Sequence, residues 1–182
     1  MRRRVLDAAA AQLVEHGFDA LSIDAVAERS GVHRTTVYRR WRDVGGLLAD
    51  VLHEASRDDW RPPDTGSLEG DLVALNREVY AALTADPPVT TALIAASFRS
   101  PHAAEALAAF WSDRYERSVA VVQRAVDRGE IPARTDPHQL LVAATAPLYF
   151  ELVLRRRAVA RRLADRSARA ATVAARAGAF VR

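Results

Sequence analysis

Residues 22–41, SIDAVAERSGVHRTTVYRRW, decide the fold of the N-terminal part of the chain. A stripe of apolar residues predicts a short helix that begins after Ser22, a good capping residue, and ends at Gly31. A second short helix is expected to start at about Arg34 and to end near Trp41. The segment is therefore predicted to form two short helices joined by a glycine corner.

The corner carries the small and apolar residues that a steep helix crossing needs. Ala27 lies four residues before Gly31, where a larger side chain would push the helices apart. Gly31 permits the positive φ of a tight turn. Val32 and Val37 are expected to fill the space beneath the crossing. Together these positions are typical of a helix-turn-helix, whose second helix enters the major groove of DNA.

The outer surface of the second helix is basic and rich in hydroxyl groups. Thr35 and Thr36 are short enough to let the helix lie deep and can offer hydroxyls or methyls to base edges. Tyr38, Arg39 and Arg40 are longer and are expected to reach phosphates at the groove walls. A plain helical corner with solvated arginines is the alternative. The coincidence of cap, corner and basic face disfavours it.

Positive charge is concentrated at this corner. Residues 1–59 carry nine arginines and ten acids, whereas residues 29–42 hold five arginines and no acid. A basic strip inside a neutral module is typical of a single DNA-facing surface. Residues 155–182 hold nine further arginines and one acid, and we interpret them as a solvated helix face.

Composition excludes several classes of function. The chain has no cysteine, which rules out disulfides and thiolate metal sites and fits an intracellular compartment. No apolar run approaches the roughly 20 residues of a membrane span, and polar residues interrupt the segment after the basic start. We expect a soluble, cytoplasmic protein with no membrane partner.

No pattern indicates catalysis or a bound metal. The sequence lacks G-x-S-x-G, a phosphate-binding glycine loop and H-E-x-x-H. His102 and Glu105 form a helical histidine–carboxylate pair at metal-like spacing, but two ligands do not make a site. We therefore predict no enzyme activity, no catalytic residue, no metal and no cofactor.

Helical periodicity dominates the chain and predicts an all-α protein of about nine helices. The prolines and glycine in residues 58–67 mark a boundary between a domain at 1–60, with a three-helix helix-turn-helix module, and a larger helical domain at 61–182. The helices expected in the larger domain lie at about 67–84, 89–99, 101–128, 137–157 and 165–180.

From the first helix, expected at about 3–16, through FDALSIDAVAERSGVHRTTVYRRW (18–41) to about Leu52, the chain resembles the TetR family of transcriptional regulators. Residues 63–68, PDTGSL, resemble the opening of a C-terminal ligand-binding domain found in one subgroup. The resemblance implies that a fourth helix links the DNA-reading module to a ligand-binding and dimerisation domain. The DNA-contacting positions it implies are Ser22 and Ile23, through backbone N–H groups, and Arg34, Thr35, Thr36, Tyr38, Arg39 and Arg40. Further phosphate or minor-groove contacts are expected from flexible Arg2, Arg3 and Arg4.

Two positions depart from the family pattern. His33 stands where the family usually has a serine or threonine cap, so the recognition helix is expected to fray more. Val44 stands where the family usually has a lysine that meets a phosphate, and Gly45 and Gly46 come directly after it. Arg42 is the candidate substitute for that lysine.

Dimerisation is implied by function and by the resemblance. A module of this size contacts few base pairs, so specificity needs two copies about 34–36 Å apart. The resemblance implies a homodimer through the last two helices, at about 137–157 and 165–180. The apolar residues that we expect there are Leu140, Leu141, Ala144, Leu148, Leu152 and Val153, and then Ala171, Val173, Ala174, Ala177 and Phe180.

The resemblance also implies an apolar cavity for a small molecule within the larger domain. The large side chains expected to line it are Tyr80, Phe98, Phe110, Trp111, Tyr115, Tyr149 and Phe150. Pro147 should kink its helix and open such a cavity, while ordinary core packing is the alternative for each aromatic residue.

The leading hypothesis is a homodimeric repressor that binds palindromic operator DNA and is released by a small apolar molecule. Two alternatives stay open. One is a helical small-molecule carrier or interaction module with a weakened DNA-binding head. The other is a repressor that responds to no ligand.

Overall fold

The computed structural model describes residues 1–56 and 59–182, with side chains outside 55–58. Within these residues the chain forms nine α-helices, one π-helical turn and no β-strand, which confirms the predicted all-α fold. The helices are α1 Arg2–His16, α2 Ile23–Ser30, α3 Arg34–Arg40, α4 Val44–Ser56, α5 Leu68–Leu83, α6 Val89–Ser97, α7 Pro101–Asp127, α8 Pro137–Tyr149 and α9 Arg162–Arg176. Asp58, the first residue of the predicted boundary segment, lies outside the described residues.

The helices pack into two compact units. Unit 1 consists of Met1–Asp59 and Ala85–Asp113, and unit 2 consists of Trp60–Thr84 and Arg114–Arg182. Helix α6 and the first part of α7 therefore pack with the N-terminal helices. The functional domains 1–60 and 61–182 stay a prediction, because they divide the chain by role and not by packing.

Unit 1 is built around the helices that carry the predicted DNA-reading corner. Its core joins α1, α2, α3 and α4 to α6 and the start of α7. Val26, Val37, Leu47 and Leu48 are fully buried there. Burial of a leucine or valine side chain contributes roughly 1.5–3 kcal/mol, so these side chains fix the helix crossing as well as the stability of the unit.

Unit 2 packs α5, the second part of α7, α8 and α9 around leucines and alanines. Asn76 of α5 ties this core together from within. Its fully buried amide donates to the carbonyl of Ala144 in α8 at 2.8 Å and to the carbonyl of Ala164 in α9 at 3.1 Å. The side-chain oxygen of Asn76 accepts no hydrogen bond within the described residues.

The predicted dimer face on α8 and α9 needs correction. Leu140, Leu141, Ala144 and Leu148 of α8 are fully buried in unit 2, and Ala171 of α9 is buried there too, so these five residues cannot meet a second copy of the chain. Helical periodicity shows which residues share a face, but it does not distinguish the face toward the chain's own core from a face toward a partner. Exposed apolar side chains of this region are Val142, Ala146, Phe150, Leu154, Ala170, Val173 and Ala177.

Helix α8 is shorter than predicted. It ends at Tyr149 and continues as a π-helical turn, Phe150–Leu154, instead of reaching 157. Pro147 lies inside α8 and has no N–H to donate to the carbonyl of Ala143. Helix α9 begins and ends about three to four residues earlier than predicted, at Arg162 and Arg176.

Residues 63–68, PDTGSL, are held at the start of α5 by a buried carboxylate. Fully buried Asp71 accepts hydrogen bonds from the backbone N–H of Thr65 at 2.5 Å and from its hydroxyl at 2.7 Å. Arg124 of α7 donates to Asp71 at 3.3 Å and also to the carbonyl of Pro63. We call Thr65, Asp71 and Arg124 the Asp71 clasp.

Glu130 caps α5 from the turn after α7. Its carboxylate accepts hydrogen bonds from the backbone N–H of Leu68 at 3.1 and 3.2 Å. Partial burial raises the pKa of Glu130, but hydrogen bonds from Arg128, from Leu68 and from Arg176 together lower that pKa below its ordinary value. The residue thus stays charged at the positive end of α5, where a negative charge is favourable.

None of the helices in the described part of the chain is long and apolar enough to cross a membrane.

Candidate nucleic-acid interface

The predicted corner is present between α2 and α3. Ser22 is extended and its hydroxyl accepts a hydrogen bond from the N–H of Ala25 at 3.1 Å, which makes it the N-cap of α2. Gly31 ends α2 in the left-handed region, with φ 64° and ψ 25°. The N–H of Val32 then bonds the carbonyl of Ala27 at 3.2 Å, as in a Schellman turn. The cap and the turn are both as predicted.

Buried residues hold the crossing in place. Ala27, Val32 and Val37 are all buried, as expected for the residues beneath the corner. Trp41, directly after α3, is buried too, and its indole N–H donates to Asp50 of α4 at 2.9 Å. Helix α3 is therefore anchored by an apolar side chain at its centre and by a hydrogen bond at its end.

Helix α3 presents the predicted polar face to solvent. Its residues Arg34, Thr35, Tyr38, Arg39 and Arg40 are exposed and Thr36 is half-buried. On α2, Ser22 is exposed but the side chain of Ile23 is buried, so only its backbone can meet a phosphate. The structure thus brings the eight predicted DNA-contacting residues to adjoining elements of unit 1, and their contact with DNA stays a prediction.

Two neighbours restrain Arg34. Its guanidinium lies 3.5 Å from the carboxylate of Asp24 on α2 and 5.9 Å from the ring centre of Tyr38. Arg34 is the first residue of α3, and these two contacts hold its side chain at the start of the exposed face. The position of Asp24 in the first turn of α2 predicts only a favourable charge at that helix end, and no sequence signal identifies it as a partner of Arg34.

Several arginines of the N-terminal region are already paired within unit 1. Arg29 donates to both carboxylate oxygens of Glu15, at 2.5 and 2.6 Å, and these bonds lower the pKa of Glu15. Arg2 is bonded to Glu54 and, at 3.4 Å, to Asp50. The expectation of flexible contacts from Arg2, Arg3 and Arg4 is therefore wrong in one respect, because these residues lie in α1 and Arg2 is held against α4.

His33 does not cap α3 in the usual way. No side-chain hydrogen bond reaches the first backbone N–H groups of the helix, as the departure from a serine or threonine cap predicts. Instead, Nδ1 of His33 lies 2.9 Å from the hydroxyl of Thr35. Val44, the other departure, is half-buried and packs against the core of unit 1.

Gly45, directly after Val44, has a structural reason that the sequence did not reveal. A Cβ on Gly45 would lie 2.6 Å from the hydroxyl oxygen of Ser100 and 3.2 Å from the Cβ of His102. Ser100 is buried and caps α7 through the N–H of Ala103, so its hydroxyl cannot move freely. Gly45 therefore allows the start of α4 to approach the start of α7.

Replacing Gly45 and Gly46 in turn tests this close approach. We expect Gly45→Ala to lower the free energy of unfolding by about 1–3 kcal/mol, the usual cost of an overpacked site. We expect Gly46→Ala to raise it by about 0.5–1 kcal/mol, because its Cβ meets only Asp43 at 3.6 Å and alanine favours helix. Urea denaturation of both variants measures the difference, and equal effects would refute the proposed contact.

A cavity of about 910 Å³ runs along the same region of unit 1. It lies beside the end of α3, one face of α4 and the start of α7, and its walls mix arginine, aspartate, glutamate and histidine. None of the seven aromatic residues predicted to line a ligand cavity takes part in it. Within the described residues, no group of three or more His, Cys, Asp or Glu side chains could hold a metal ion.

The predicted aromatic residues divide between the two units. Phe98, Phe110 and Trp111 belong to unit 1, whereas Tyr80, Tyr115, Tyr149 and Phe150 belong to unit 2. Phe98 is 78% exposed and Phe150 is 52% exposed, so neither faces the interior of this chain. Phe110 and Trp111 meet edge to face with centres 5.0 Å apart.

The three tyrosines of unit 2 are half-buried and placed by polar contacts. The hydroxyl of Tyr80 donates to the carbonyl of Val159 at 2.8 Å, and that of Tyr115 lies 2.9 Å from the hydroxyl of Thr145. Burial and the neighbouring Tyr115 raise the pKa of Tyr149, which keeps its phenol neutral. Their role as ligand contacts stays a prediction.

Comparison with known proteins agrees with this architecture. A family model described as "Bacterial regulatory proteins, tetR family" matches residues 5–51, and one described as "Tetracyclin repressor-like, C-terminal domain" matches residues 62–171. The matched ranges include the whole corner, the Asp71 clasp, α8 and most of α9.

Two relatives and one solved structure are similar over most of the chain. The HTH-type transcriptional regulator AqdR of Rhodococcus erythropolis is 37% identical over 74% of this chain and 66% of its own length, just under two thirds. A DNA-binding transcriptional repressor TetR of Mycobacteroides abscessus is 33% identical over 78% of this chain and 76% of its own. The SmeT–triclosan complex has the same fold, with 22% identity and a TM-score of 0.63 over 100% of this chain and 91% of that one.

Proposed function

The chain belongs to the TetR family of DNA-binding transcriptional regulators, and we propose that it is a homodimeric repressor of palindromic operators that a small molecule releases. The family regulates transcription and is not enzymatic, in agreement with the prediction that the chain is not an enzyme. The observation that carries the proposal is the exposed face of α3, with arginine, threonine and tyrosine side chains above a fully buried Val37.

This face supplies the two kinds of contact that operator recognition needs. Thr35 and Thr36 are short, and their hydroxyls and methyls match donors, acceptors and thymine methyl groups on base edges. Tyr38, Arg39 and Arg40 extend further and would bond phosphates, which fix the register of α3 in the groove. The backbone N–H groups at the start of α2, at Ser22 and Ile23, would bond one more phosphate.

Exposed apolar side chains on the last two helices support dimerisation. Val142 on α8 and Val173 on α9 face solvent, and Val173 is 66% exposed. A second copy would cover these side chains and would place two α3 helices about one DNA turn apart. The proposed dimer face thus uses the outer sides of α8 and α9, and the five predicted residues that are buried in unit 2 are left out.

Two observations support a small, apolar effector. Pro147 lies inside α8 and a π-helical turn follows it, close in sequence to half-buried Tyr149 and to Thr145, which contacts the hydroxyl of half-buried Tyr115. The SmeT–triclosan complex is a small-molecule complex with the same fold. Release requires only that the effector bind a dimer arrangement with mismatched α3 spacing more tightly than the DNA-competent arrangement.

Arg39→Ala and Tyr38→Phe test the DNA-binding face. Sites are first selected from random DNA with the purified chain, and affinities for the selected site are then measured over a range of salt. We expect Arg39→Ala to weaken binding about tenfold or more, because a hydrogen bond to a charged group contributes roughly 1.5–3 kcal/mol. We also expect Arg39→Ala to reduce the slope of log affinity against log salt concentration by about one. Tyr38→Phe should cause a smaller loss of affinity.

Arg61→Ala is the matched control, because Arg61 is an exposed arginine outside α3. It should leave affinity for the selected site within twofold of the parent, roughly the scatter of a surface substitution. A palindromic selected site supports the dimer. Failure to select any preferred site would refute the proposal and favour a helical carrier with a weakened DNA-binding head.

A further inference from the structure

His33 occupies the capping position of α3 without bonding the helix backbone through its side chain. Its own carbonyl accepts the N–H groups of Thr36 at 2.9 Å and Val37 at 3.3 Å. Its imidazole makes no capping bond, and Nδ1 lies 2.9 Å from Oγ1 of Thr35, two residues further along. His33 and Thr35 are both exposed at the start of the face that would meet base edges.

The contact with His33 determines whether the Thr35 hydroxyl can donate or accept a further hydrogen bond. A threonine hydroxyl has one hydrogen to donate and two lone pairs that accept. When Nδ1 of His33 carries no proton, Thr35 donates to it, and the lone pairs of Thr35 are left for a partner. When Nδ1 carries a proton, the ring donates to Thr35, and the hydroxyl hydrogen becomes available to a partner.

We propose that His33 is a specificity-determining residue that acts through Thr35, by setting the hydroxyl as an acceptor or a donor toward the base it reads. The inference rests on the proposed operator binding. With Nδ1 unprotonated, Thr35 favours the amino groups of cytosine and adenine in the major groove. With the imidazolium, Thr35 favours the oxygen and N7 acceptors of guanine or the O4 of thymine.

Charged residues also lie near His33, on the two helices that flank it. The charged residues on the two flanking helices are Asp24, Glu28, Arg29, Arg34, Arg39 and Arg40. Asp24 is paired with Arg34 and Arg29 is paired with Glu15, whereas Glu28, Arg39 and Arg40 are exposed.

Site selection at two pH values tests the proposal. A histidine ring passes from charged to neutral between about pH 5 and pH 8, so selections are made near those limits. Relative affinities are then measured for operators that differ only between cytosine and guanine at each position of the half-site. We expect one position at which the cytosine-to-guanine affinity ratio falls by about threefold to tenfold at the lower pH.

Three variants separate this role from a structural one. His33→Ser supplies an ordinary cap and keeps α3 folded, and it should abolish the pH dependence at that position. Thr35→Val keeps the shape of the side chain but removes its hydroxyl, so it should also abolish the pH dependence at that position. His53→Ser removes an exposed histidine of α4 and should leave it unchanged.

The outcomes are distinct. A selected site whose base preferences do not change with pH, or change equally in the parent and in His33→Ser, overturns the role of His33 and leaves operator binding intact. A pH-dependent preference that survives Thr35→Val overturns the route through Thr35. Absence of any preferred site at either pH overturns operator binding and this inference together.

Discussion

Replacement of Asp71 by alanine is expected to lower the free energy of unfolding of unit 2 by about 3–5 kcal/mol, the usual cost of breaking a buried ion pair. Fully buried Asp71 accepts two hydrogen bonds from Thr65 and one from Arg124. Alanine removes all three acceptors. The N–H of Thr65 and the Arg124 guanidinium then lose their bonds to Asp71 in an environment where water replaces them poorly.

Asp64→Ala is the matched control for the Asp71 clasp. Asp64 also pairs with Arg124, at 3.3 Å, but its side chain is 62% exposed. An exposed ion pair contributes about 0–1 kcal/mol, so this variant should unfold close to the parent. Urea denaturation followed by helical circular dichroism measures both. If the two variants lose equal stability, burial of Asp71 is not the source of its effect.

The second large effect is expected at Asn76. Its amide donates to the carbonyls of Ala144 and Ala164 from a fully buried position. Asn76→Asp keeps the shape but, when ionised, has no hydrogen to donate and places a negative charge against two carbonyl oxygens. We expect a loss of about 3–5 kcal/mol at neutral pH, because an unpaired charge is buried.

The loss from Asn76→Asp should depend on pH. Burial and the two carbonyls would raise the pKa of the new carboxyl in the folded state above its unfolded value. Stability is then greatest below the unfolded pKa and is lost as the pH rises through the folded pKa. Urea denaturation at about pH 4 and pH 8 should therefore show partial recovery at the acid end, beyond any change in the parent.

Asn76→Leu separates charge from lost hydrogen bonds. The oxygen of Asn76 accepts no bond within the described residues, so leucine loses only the two donated bonds. We expect a loss of about 1–3 kcal/mol with no added pH dependence. If Asn76→Asp and Asn76→Leu lower the free energy of unfolding equally at every pH, a buried negative charge is not the source of the effect of Asn76→Asp.

Local signals made most of the fold predictable. Ser22 and Gly31 mark helix ends through their own side-chain or backbone chemistry, and the structure places each at a helix end. Asp136 caps the start of α8 through its side chain. Asp136 also binds Arg182, and that hydrogen bond lowers the pKa of Asp136. The corner was predictable for the same reason, because its cap, turn and core residues lie within one short segment.

The features that could not be predicted depend on contacts between distant residues or on side-chain geometry. Leu140 and Val142 are both apolar and lie two residues apart, yet one is in the core and the other faces solvent. The pairing of Arg2 with α4 spans 48 and 52 residues and leaves no sequence pattern. The contact between His33 and Thr35 depends on a ring orientation that sequence alone does not fix.

The internal pairing of Arg29 and Arg2 has a consequence for how the regulator searches a genome. Cations that are already neutralised by Glu15, Asp50 and Glu54 release few counterions from DNA, so they add little to sequence-independent attraction. Each visit to a random site should therefore be brief. Most of the time bound to DNA would then be spent where the bases match α3, and few protein molecules would be held on the excess of competing sequence.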